Sequence, residues 1–125
     1  MNILLIIIGG GIGALFRHYS TQIINNIFIN KFILGTIFVN CIGSFLMGFF
    51  MNIFSTISID IKWKLFIITG FLGGYTTFSA YSFETTNYIM NGNIKYAILN
   101  IVISNIICLL FVFFGIWINK LIILK

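Results

Sequence analysis

Few side chains in this chain could do chemistry, and most of them lie within apolar segments. The 125 residues include two acidic residues, one histidine and two cysteines. These are too few for a pair of catalytic carboxylates or for a Cys/His metal cluster. Cys41 and Cys108 fall within apolar stretches, where packing as small side chains is favoured over a disulfide or a reactive thiol. The composition therefore argues against an enzyme.

Neutral polar residues recur at a spacing of four within two of the apolar segments. The two sets are Thr36, Asn40 and Ser44, and Tyr96, Asn100 and Ser104. This spacing places each set on one face of a helix. Two interpretations stay open for each set. The side chains could form hydrogen bonds within and between helices, or they could form a row of neutral donors that a dehydrating anion follows without being trapped by a fixed charge.

Two of the charged residues within the apolar segments are candidates for a role, Arg17 in the first segment and Glu84 in the third. Arg17 is deep in the first one, and a central arginine costs about 2.5–3.5 kcal/mol on insertion scales. It therefore has either a functional role or a side chain that extends to the membrane interface. Glu84 lies near the end of the third segment. Its carboxylate could end a polar track, accept a hydrogen bond from Asn40, or lie at the interface without a role.

Small residues in the first segment occur at the spacing of a close helix contact. Gly9 pairs with Gly13, and Gly10 pairs with Ala14, each at a separation of four residues. Such pairs allow the backbone of a neighbouring helix to approach closely. The first segment is therefore expected to pack tightly against another helix.

The third segment has small and polar residues where a continuous membrane helix would have leucine. These residues are Gly70, Gly73, Gly74, Thr76 and Thr77. They predict a break in the helix, whose freed carbonyls and helix ends could bind an ion. A break also predicts that the backbone at Gly73 adopts a conformation that a side chain would oppose. The alternative is an unbroken helix in which Gly70 and Gly74 form a packing face.

The chain as a whole is too apolar for a soluble domain. Hydrophobic residues make up 60% of it and charged residues 7%, whereas soluble domains are about a quarter charged. A membrane helix needs about 20 apolar residues, and four stretches qualify, at 3–28, 32–54, 63–90 and 95–119, the first two connected around Asn30 and Lys31. They lack the alternation of barrel strands. The sequence therefore predicts an all-α membrane protein in contact with lipid, with one domain of four transmembrane helices over residues 1–125.

The basic residues are scattered, which argues against a nucleic-acid partner. No basic residue precedes the first apolar segment, so this segment is interpreted as a retained span rather than a signal peptide. With four spans, the side of the N-terminus has Lys62, Lys64, Lys120 and Lys125, and the other side has Lys31 and Lys95, together with Arg17 if it extends there. This weak bias predicts a mixture of orientations that assemble as an antiparallel pair.

Three segments carry longer motifs: GGGIGALFRHYS at 9–20, GTIFVNCIGSFLMGF at 35–49 and GFLGGYTTFSAYSFET at 70–85. In this order and at these separations they resemble the signature motifs of the Fluc/CrcB family of fluoride channels. The pattern of Tyr96, Asn100 and Ser104 extends the resemblance over the whole chain. The match of three motifs, length and number of spans makes the resemblance specific.

The resemblance implies a passive channel through which cytoplasmic fluoride leaves the cell across the inner membrane, which lowers its toxicity. It implies an antiparallel, dual-topology homodimer, or a pair with a homologous second subunit, with two pores and a structural sodium ion at the interface. Gly73 and Thr76 fall where backbone carbonyls hold the sodium. The residues at the positions of the fluoride pore are Phe78, Tyr81, Asn40, Thr77, Ser104, Asn100, Tyr96, Glu84 and Arg17.

The chain departs from the family pattern mainly at Tyr81, where a phenylalanine is expected. The positive edge of an aromatic ring can stabilise a small anion, and Phe78 and Tyr81 both retain such an edge. Asn100 replaces a frequent serine, and His18 takes the place of an aromatic residue. Two other functions are weighed against a fluoride channel. A small four-helix multidrug exporter would need an acidic residue in its first helix, and a structural subunit of a membrane complex would leave the polar rows and Arg17 without a purpose.

Overall fold

The structure is a computed structural model that describes residues 2–28 and 34–123, and its regular elements there are all helical. They are α1 (Asn2–Ile27), α2 (Gly35–Thr56), α3 (Ile61–Lys64), a π-helical segment (Leu65–Leu72), α4 (Gly73–Tyr75), α5 (Phe78–Met90) and α6 (Ile94–Ile123). We call residues 61–90 the broken helix. The predicted helical class is confirmed. The predicted connection at Asn30 and Lys31, and the terminal Lys125, lie outside the described residues.

Three of the helices are long and apolar enough to cross a membrane: α1, α2 and α6. The broken helix is divided by two residues with extended backbone, Thr76 (φ −85°, ψ 158°) and Thr77 (φ −151°, ψ 115°). The predicted interruption of the third apolar stretch is therefore confirmed. The sequence did not predict the π-helical turns before the break. Such turns are rare in proteins, and those that occur are often at functional sites.

Side-chain pairs show that α2 and α6 run parallel to one another. Cys41 contacts Cys108, and Asn52 donates a hydrogen bond to Asn119, and the partners of both pairs are 67 residues apart. A constant separation in sequence along two helices means that they point in the same direction. The chain between them, residues 57–93, must therefore return from the end of α2 to the opposite end of the bundle.

The broken helix makes this return. It is antiparallel to α2, since Thr36 contacts Glu84 while Asn40, four residues later, contacts Thr77. It is antiparallel to α6 as well, because the pairs of α5 with α6 are Tyr81 with Asn105 and Thr85 with Asn100. The helix α2, the broken helix and α6 thus alternate in direction along the chain.

Glycine contacts join α1 to the broken helix. A Cβ atom at Gly9 would lie 2.5 Å from the carbonyl oxygen of Phe66, and one at Gly13 would overlap the carbonyl of Phe71. A Cβ at Gly74 would overlap the carbonyl of Gly10. The predicted tight packing of α1 is confirmed. Gly70 and Gly74 do form a packing face, and they do so in a helix that is also broken, so the two interpretations of this segment are compatible.

A second glycine contact joins α2 to α6, and the sequence analysis did not identify it. A Cβ at Gly48 would overlap the carbonyl of Val112, and a Cβ at Gly115 would overlap the carbonyl of Phe45. Both glycines are buried. Since neither position leaves room for a side chain, the two backbones are held in close contact over this part of the bundle.

Asp60 immediately precedes α3 as its N-cap residue. Its carboxylate accepts a hydrogen bond from the backbone N–H of Lys62 at 2.9 Å, as an N-cap residue does. This hydrogen bond lowers the pKa of Asp60 below its usual value. The same side chain forms an ion pair with Lys62 at 3.6 Å.

Candidate functional site

Two side chains from neighbouring helices satisfy the polar backbone groups at the break. The Asn40 amide donates to the Thr77 carbonyl at 3.0 Å and accepts from the Thr77 N–H at 2.8 Å. Arg17 Nη1 donates to the carbonyl of Thr76 at 3.1 Å, and the Thr76 N–H donates to Leu72. An unpaired backbone group is costly in a membrane interior. Asn40 and Arg17 therefore make an extended turn possible where a helix would otherwise continue.

The arginine thus has a definite partner within the protein. The guanidinium of Arg17 is held at the break by this hydrogen bond, which favours a role within the protein over extension to the membrane interface. Of the three alternatives for Glu84, the hydrogen bond from Asn40 is not formed, since the Asn40 amide is paired with Thr77 and the carboxylate of Glu84 accepts from Thr36.

The first of two cavities beside the break is lined by uncharged residues. It has a volume of about 360 Å³ and lies between α2, α5 and α6. We call it the neutral cavity. Five of the predicted pore residues line it: Asn40, Thr77, Phe78, Tyr81 and Ser104. Ser44, the third member of the α2 row, lines it as well.

Two aromatic rings lie at the start of α5 next to this cavity. The centroids of Phe78 and Tyr81 are 5.2 Å apart, with their planes tilted by 47°. Phe78 is 77% exposed in the single chain. The α5 helix begins here because the Thr77 hydroxyl accepts a hydrogen bond from the Ala80 N–H at 3.2 Å. The break therefore sets the position of both rings.

The hydroxyl of Tyr81 contacts Asn105, a residue that the sequence analysis missed. Asn105 Nδ2 lies 2.7 Å from the carbonyl oxygen of Ile101 and 3.3 Å from Tyr81 Oη. Because a carbonyl can only accept, the atom beside Ile101 must be the amide nitrogen. Its second N–H then donates to Tyr81, so the phenolic proton is not used by Asn105. Tyr81 consequently keeps an O–H donor for the cavity that it lines.

The second cavity lies on the other side of Thr77 and contains charged residues. It has a volume of about 650 Å³ and is lined by Ala14, Arg17, His18, Thr21, Gln22, Thr36, Thr77, Ser79, Ala80, Phe83 and Glu84. We call it the charged cavity. Among the described residues the only ion pair is that of Lys62 with Asp60. Arg17 and Glu84 therefore line one cavity without pairing with each other, and Oε2 of Glu84 has no protein partner.

The predicted row on α6 is divided in the structure. Asn100 is 1% exposed and donates to the Thr85 hydroxyl at 2.9 Å, and Ser104 lies 3.4 Å from the Asn100 side chain. Ser104 reaches the neutral cavity, whereas Asn100 and Tyr96 line neither cavity. The ring of Tyr96 packs against Tyr88, with centroids 5.8 Å apart. Asn100 thus links α6 to α5 through Thr85.

Gly73 begins α4, and Thr76 follows the end of this short helix. Gly73 has ordinary helical angles (φ −62°, ψ −35°), and a Cβ there would meet only Ile68 O at 3.8 Å. The expectation that its backbone conformation requires glycine is therefore wrong. Because the Thr77 N–H donates to Asn40, it is turned away from the carbonyl of Gly73, its usual partner four residues earlier. The Thr76 carbonyl accepts from Arg17 and retains a second lone pair.

Comparison with known proteins identifies the family. Residues 4–116 match the model of the family described as CrcB-like protein, Camphor Resistance (CrcB). A protein of Campylobacter fetus subsp. fetus named fluoride-specific ion channel FluC is 47% identical over 113 residues, which cover 90% of this chain and 88% of that protein. Proteins with the same name from Hydrogenobaculum sp. and Pyrococcus horikoshii are 45% and 40% identical, over 92% and 90% of this chain and 94% and 91% of their own lengths. The chain therefore belongs to the CrcB family.

Proposed function

We propose that this protein is a fluoride-selective channel that lets fluoride leave the cell passively, and that it is not an enzyme. The names of its relatives support this function. The observation in the structure that carries it is the neutral cavity beside the break. An anion in this cavity meets hydroxyl groups and ring edges, and no cationic side chain lines it.

The arrangement suits a small anion that must lose its water. Asn105 does not use the Tyr81 O–H, and Ser44 adds a second hydroxyl to the wall of this cavity. Such donors replace hydration without the strong attraction of a fixed charge, so the ion can enter and also leave. Phe78 adds the positive edge of its ring. Fluoride, as the smallest halide, profits most from short hydrogen bonds in a narrow passage.

The charged cavity gives this route an attractive approach. Arg17 supplies a positive charge that raises the local concentration of anions. Thr77 lines both cavities, so it is the point at which an ion would pass from one to the other. Glu84 and Thr36 both line the charged cavity, and the Thr36 hydroxyl donates a hydrogen bond to the Glu84 carboxylate. On α6, Ser104 continues the route. Asn100 and Tyr96 line neither cavity and would support the route indirectly, by joining α6 to α5 through Thr85 and Tyr88.

We propose that the broken helix, which is third in chain order, crosses the membrane in addition to α1, α2 and α6. Because α2 and α6 are parallel, the chain between them has to cross the bundle once. The protein would then cross the cell membrane four times, and the inner membrane fits its bacterial relatives. The small difference in basic residues between the two sides supports insertion in both orientations.

An antiparallel homodimer completes the proposal, and a homologous second subunit is the alternative partner. The rings of Phe78 and Phe83 are 77% and 67% exposed on α5, beside the two cavities. A second copy would cover them and close the open sides of both cavities. A two-fold axis would give each dimer two equivalent routes.

A structural sodium ion fits the donor chemistry at the end of α4. The carbonyls of Gly73 and Thr76 are neutral oxygen donors, and the break withdraws the usual helical partner from the first of them. Two copies related by a two-fold axis would supply both carbonyls twice. The ion would hold the two subunits together because it would be bound by carbonyl oxygens from both of them. Arg17, which donates to the Thr76 carbonyl, would fix the orientation of this group.

Passive fluoride efflux from proteoliposomes tests the function. Vesicles loaded with potassium fluoride and carrying purified protein should release fluoride once a potassium ionophore balances the charge. Release should need no ATP and no proton gradient, because the fluoride gradient itself drives passive efflux. Efflux no faster than from protein-free vesicles would contradict a channel. Efflux that appears only with a proton gradient would favour the exporter alternative.

A further inference from the structure

Two thiols face one another between α2 and α6. The Sγ atoms of Cys41 and Cys108 lie 4.0 Å apart, and both cysteines are free. Cys41 is buried, whereas Cys108 is half-buried and lines the neutral cavity. The pair is therefore enclosed by protein on one side and can be reached from the cavity on the other.

The backbones of the two helices hold this pair in place. Gly48 follows Cys41 by seven residues, and Gly115 follows Cys108 by seven, so each glycine lies on nearly the same helix face as its cysteine. At both glycines the neighbouring backbone leaves no room for a Cβ atom. The two helices are therefore already fixed relative to one another. Binding of a ligand that bridges the sulfur atoms would cost little conformational entropy, which favours the complex.

The separation of the sulfur atoms suits a bridging metal ion better than a disulfide. A disulfide bond is about 2.05 Å long, which is about half the separation of the two sulfur atoms here. With metal–thiolate bonds of about 2.3 Å, a metal held linearly by two thiolates needs its sulfurs about 4.6 Å apart, which is about 0.6 Å more than the observed 4.0 Å. Zinc prefers four ligands, and the described residues contain no group of three or more His, Cys, Asp and Glu that could hold a metal.

Soft cations that accept only two or three ligands favour thiolates. A divalent cation with two thiolates forms a neutral complex, which avoids burying a net charge between membrane helices. We propose that Cys41 and Cys108 form a dithiolate site for one soft divalent cation, for which Hg²⁺ is the probe. Binding replaces two S–H bonds with two S–Hg bonds and releases two protons to water. No oxidant or reductant takes part.

The first test is metal retention by the protein in detergent. These are the chain's only two cysteines, so no other thiol contributes. One equivalent of Hg²⁺ should consume both thiols and stay bound during dialysis against about 1 mM of a monothiol, because a chelate competes better than single ligands. Cys41→Ser and Cys108→Ser should each lose the metal at least about tenfold faster, and the double variant should retain none. Alanine variants with unchanged helical circular dichroism repeat the test if a serine variant does not fold.

Two results would overturn the site. One is uptake of two Hg²⁺ per chain, with one metal on each thiol. The other is loss of the metal from the parent protein as rapidly as from the single variants. Both results would show that the two sulfurs act independently. Neither result depends on what the protein transports.

A second measurement asks whether the site faces the ion route, and this part rests on the proposed function. Stoichiometric Hg²⁺ should lower fluoride efflux at least about tenfold in the parent protein, since Cys108 lines the neutral cavity. Efflux by the Cys41→Ser/Cys108→Ser double variant, whatever its basal rate, should not change when Hg²⁺ is added. Unchanged efflux from a parent protein that has bound the metal would contradict this location of the site. Absence of efflux before any metal is added would instead contradict the proposed function.

Discussion

The neutral cavity and the charged cavity share Thr77, but they offer an anion different surroundings. On one side the polar groups are hydroxyls, amides and an aromatic edge, and on the other they include Arg17 and Glu84. A charged wall can collect ions from solution, whereas a neutral wall can hold a dehydrated ion weakly enough to release it. The difference indicates that capture and passage are carried out by separate parts of one chain. The break at Thr76 and Thr77 is the structural element that separates them.

The largest effect is expected from the contact that holds Arg17 against the break. Gly13 packs on the carbonyl of Phe71, so Gly13→Val would push α1 away from the broken helix. We expect loss of folded protein, because overpacking of a backbone contact costs at least about 1–3 kcal/mol. The matched control is Gly11→Val, since a Cβ at Gly11 meets no atom within 4 Å. Yield and monodispersity in detergent measure the effect, and equal behaviour of the two variants would refute this packing.

The next effect concerns the wall between the cavities. Asn40→Ala leaves the N–H and the carbonyl of Thr77 without their partners, and each buried unpaired group costs about 1–3 kcal/mol. Fluoride flux should fall at least about 100-fold, as the break loses its shape. Asn52→Ala is the control, because Asn52 lies on the same helix and pairs with Asn119 away from both cavities. Similar fluxes of the two variants would show that Asn40 does not support the route.

A smaller effect should come from the charge in the charged cavity. Arg17→Gln removes the positive charge and should lower fluoride flux about tenfold at low ionic strength. The loss should shrink as salt is added, because salt screens the attraction in the parent protein. Arg17→Lys keeps the charge and should lose less. A loss in Arg17→Gln that does not change with salt would mean that Arg17 acts only through its hydrogen bond to Thr76.

The smallest effect is expected within the neutral cavity. Tyr81→Phe keeps the ring edge and removes the hydroxyl, so fluoride flux should stay within about tenfold of the parent, a barrier change of roughly 1.4 kcal/mol or less. Tyr81→Ala removes both and should cost clearly more. Equal flux of Tyr81→Ala and the parent would place Tyr81 outside the route. Loss of flux in Tyr81→Phe would show that the hydroxyl held by Asn105 has taken over the role of the ring edge.

Features that depend on local composition were predictable from the sequence. The run from Gly70 to Thr77 predicted the break, since glycine and threonine disfavour a continuous membrane helix there. The spacing of Thr36, Asn40 and Ser44 placed one polar face on α2, and the structure turns this face towards the broken helix. The small residues of α1 predicted a close contact without naming its partner.

Features that depend on which helices meet were not predictable in this way. Nothing in the pattern of α2 indicates that Asn40 binds backbone atoms rather than Glu84, because that choice depends on how far the break lies along the bundle. Asn105 is one residue beyond the Ser104 row, and only its contact with Tyr81 reveals it. The prediction that Gly73 has a backbone conformation open only to glycine was wrong. Gly73 is helical, and the residues with extended backbone are Thr76 and Thr77.

The selectivity of the parent protein tests the division between a charged approach and a neutral passage most directly. Fluoride and chloride efflux would be measured with ion-selective electrodes in the same batch of proteoliposomes. The account predicts fluoride flux at least about 100-fold above chloride flux, because a narrow row of neutral donors compensates dehydration best for the smallest anion. Comparable fluxes of the two ions would contradict it, since they would mean that the neutral cavity does not select the ion that passes.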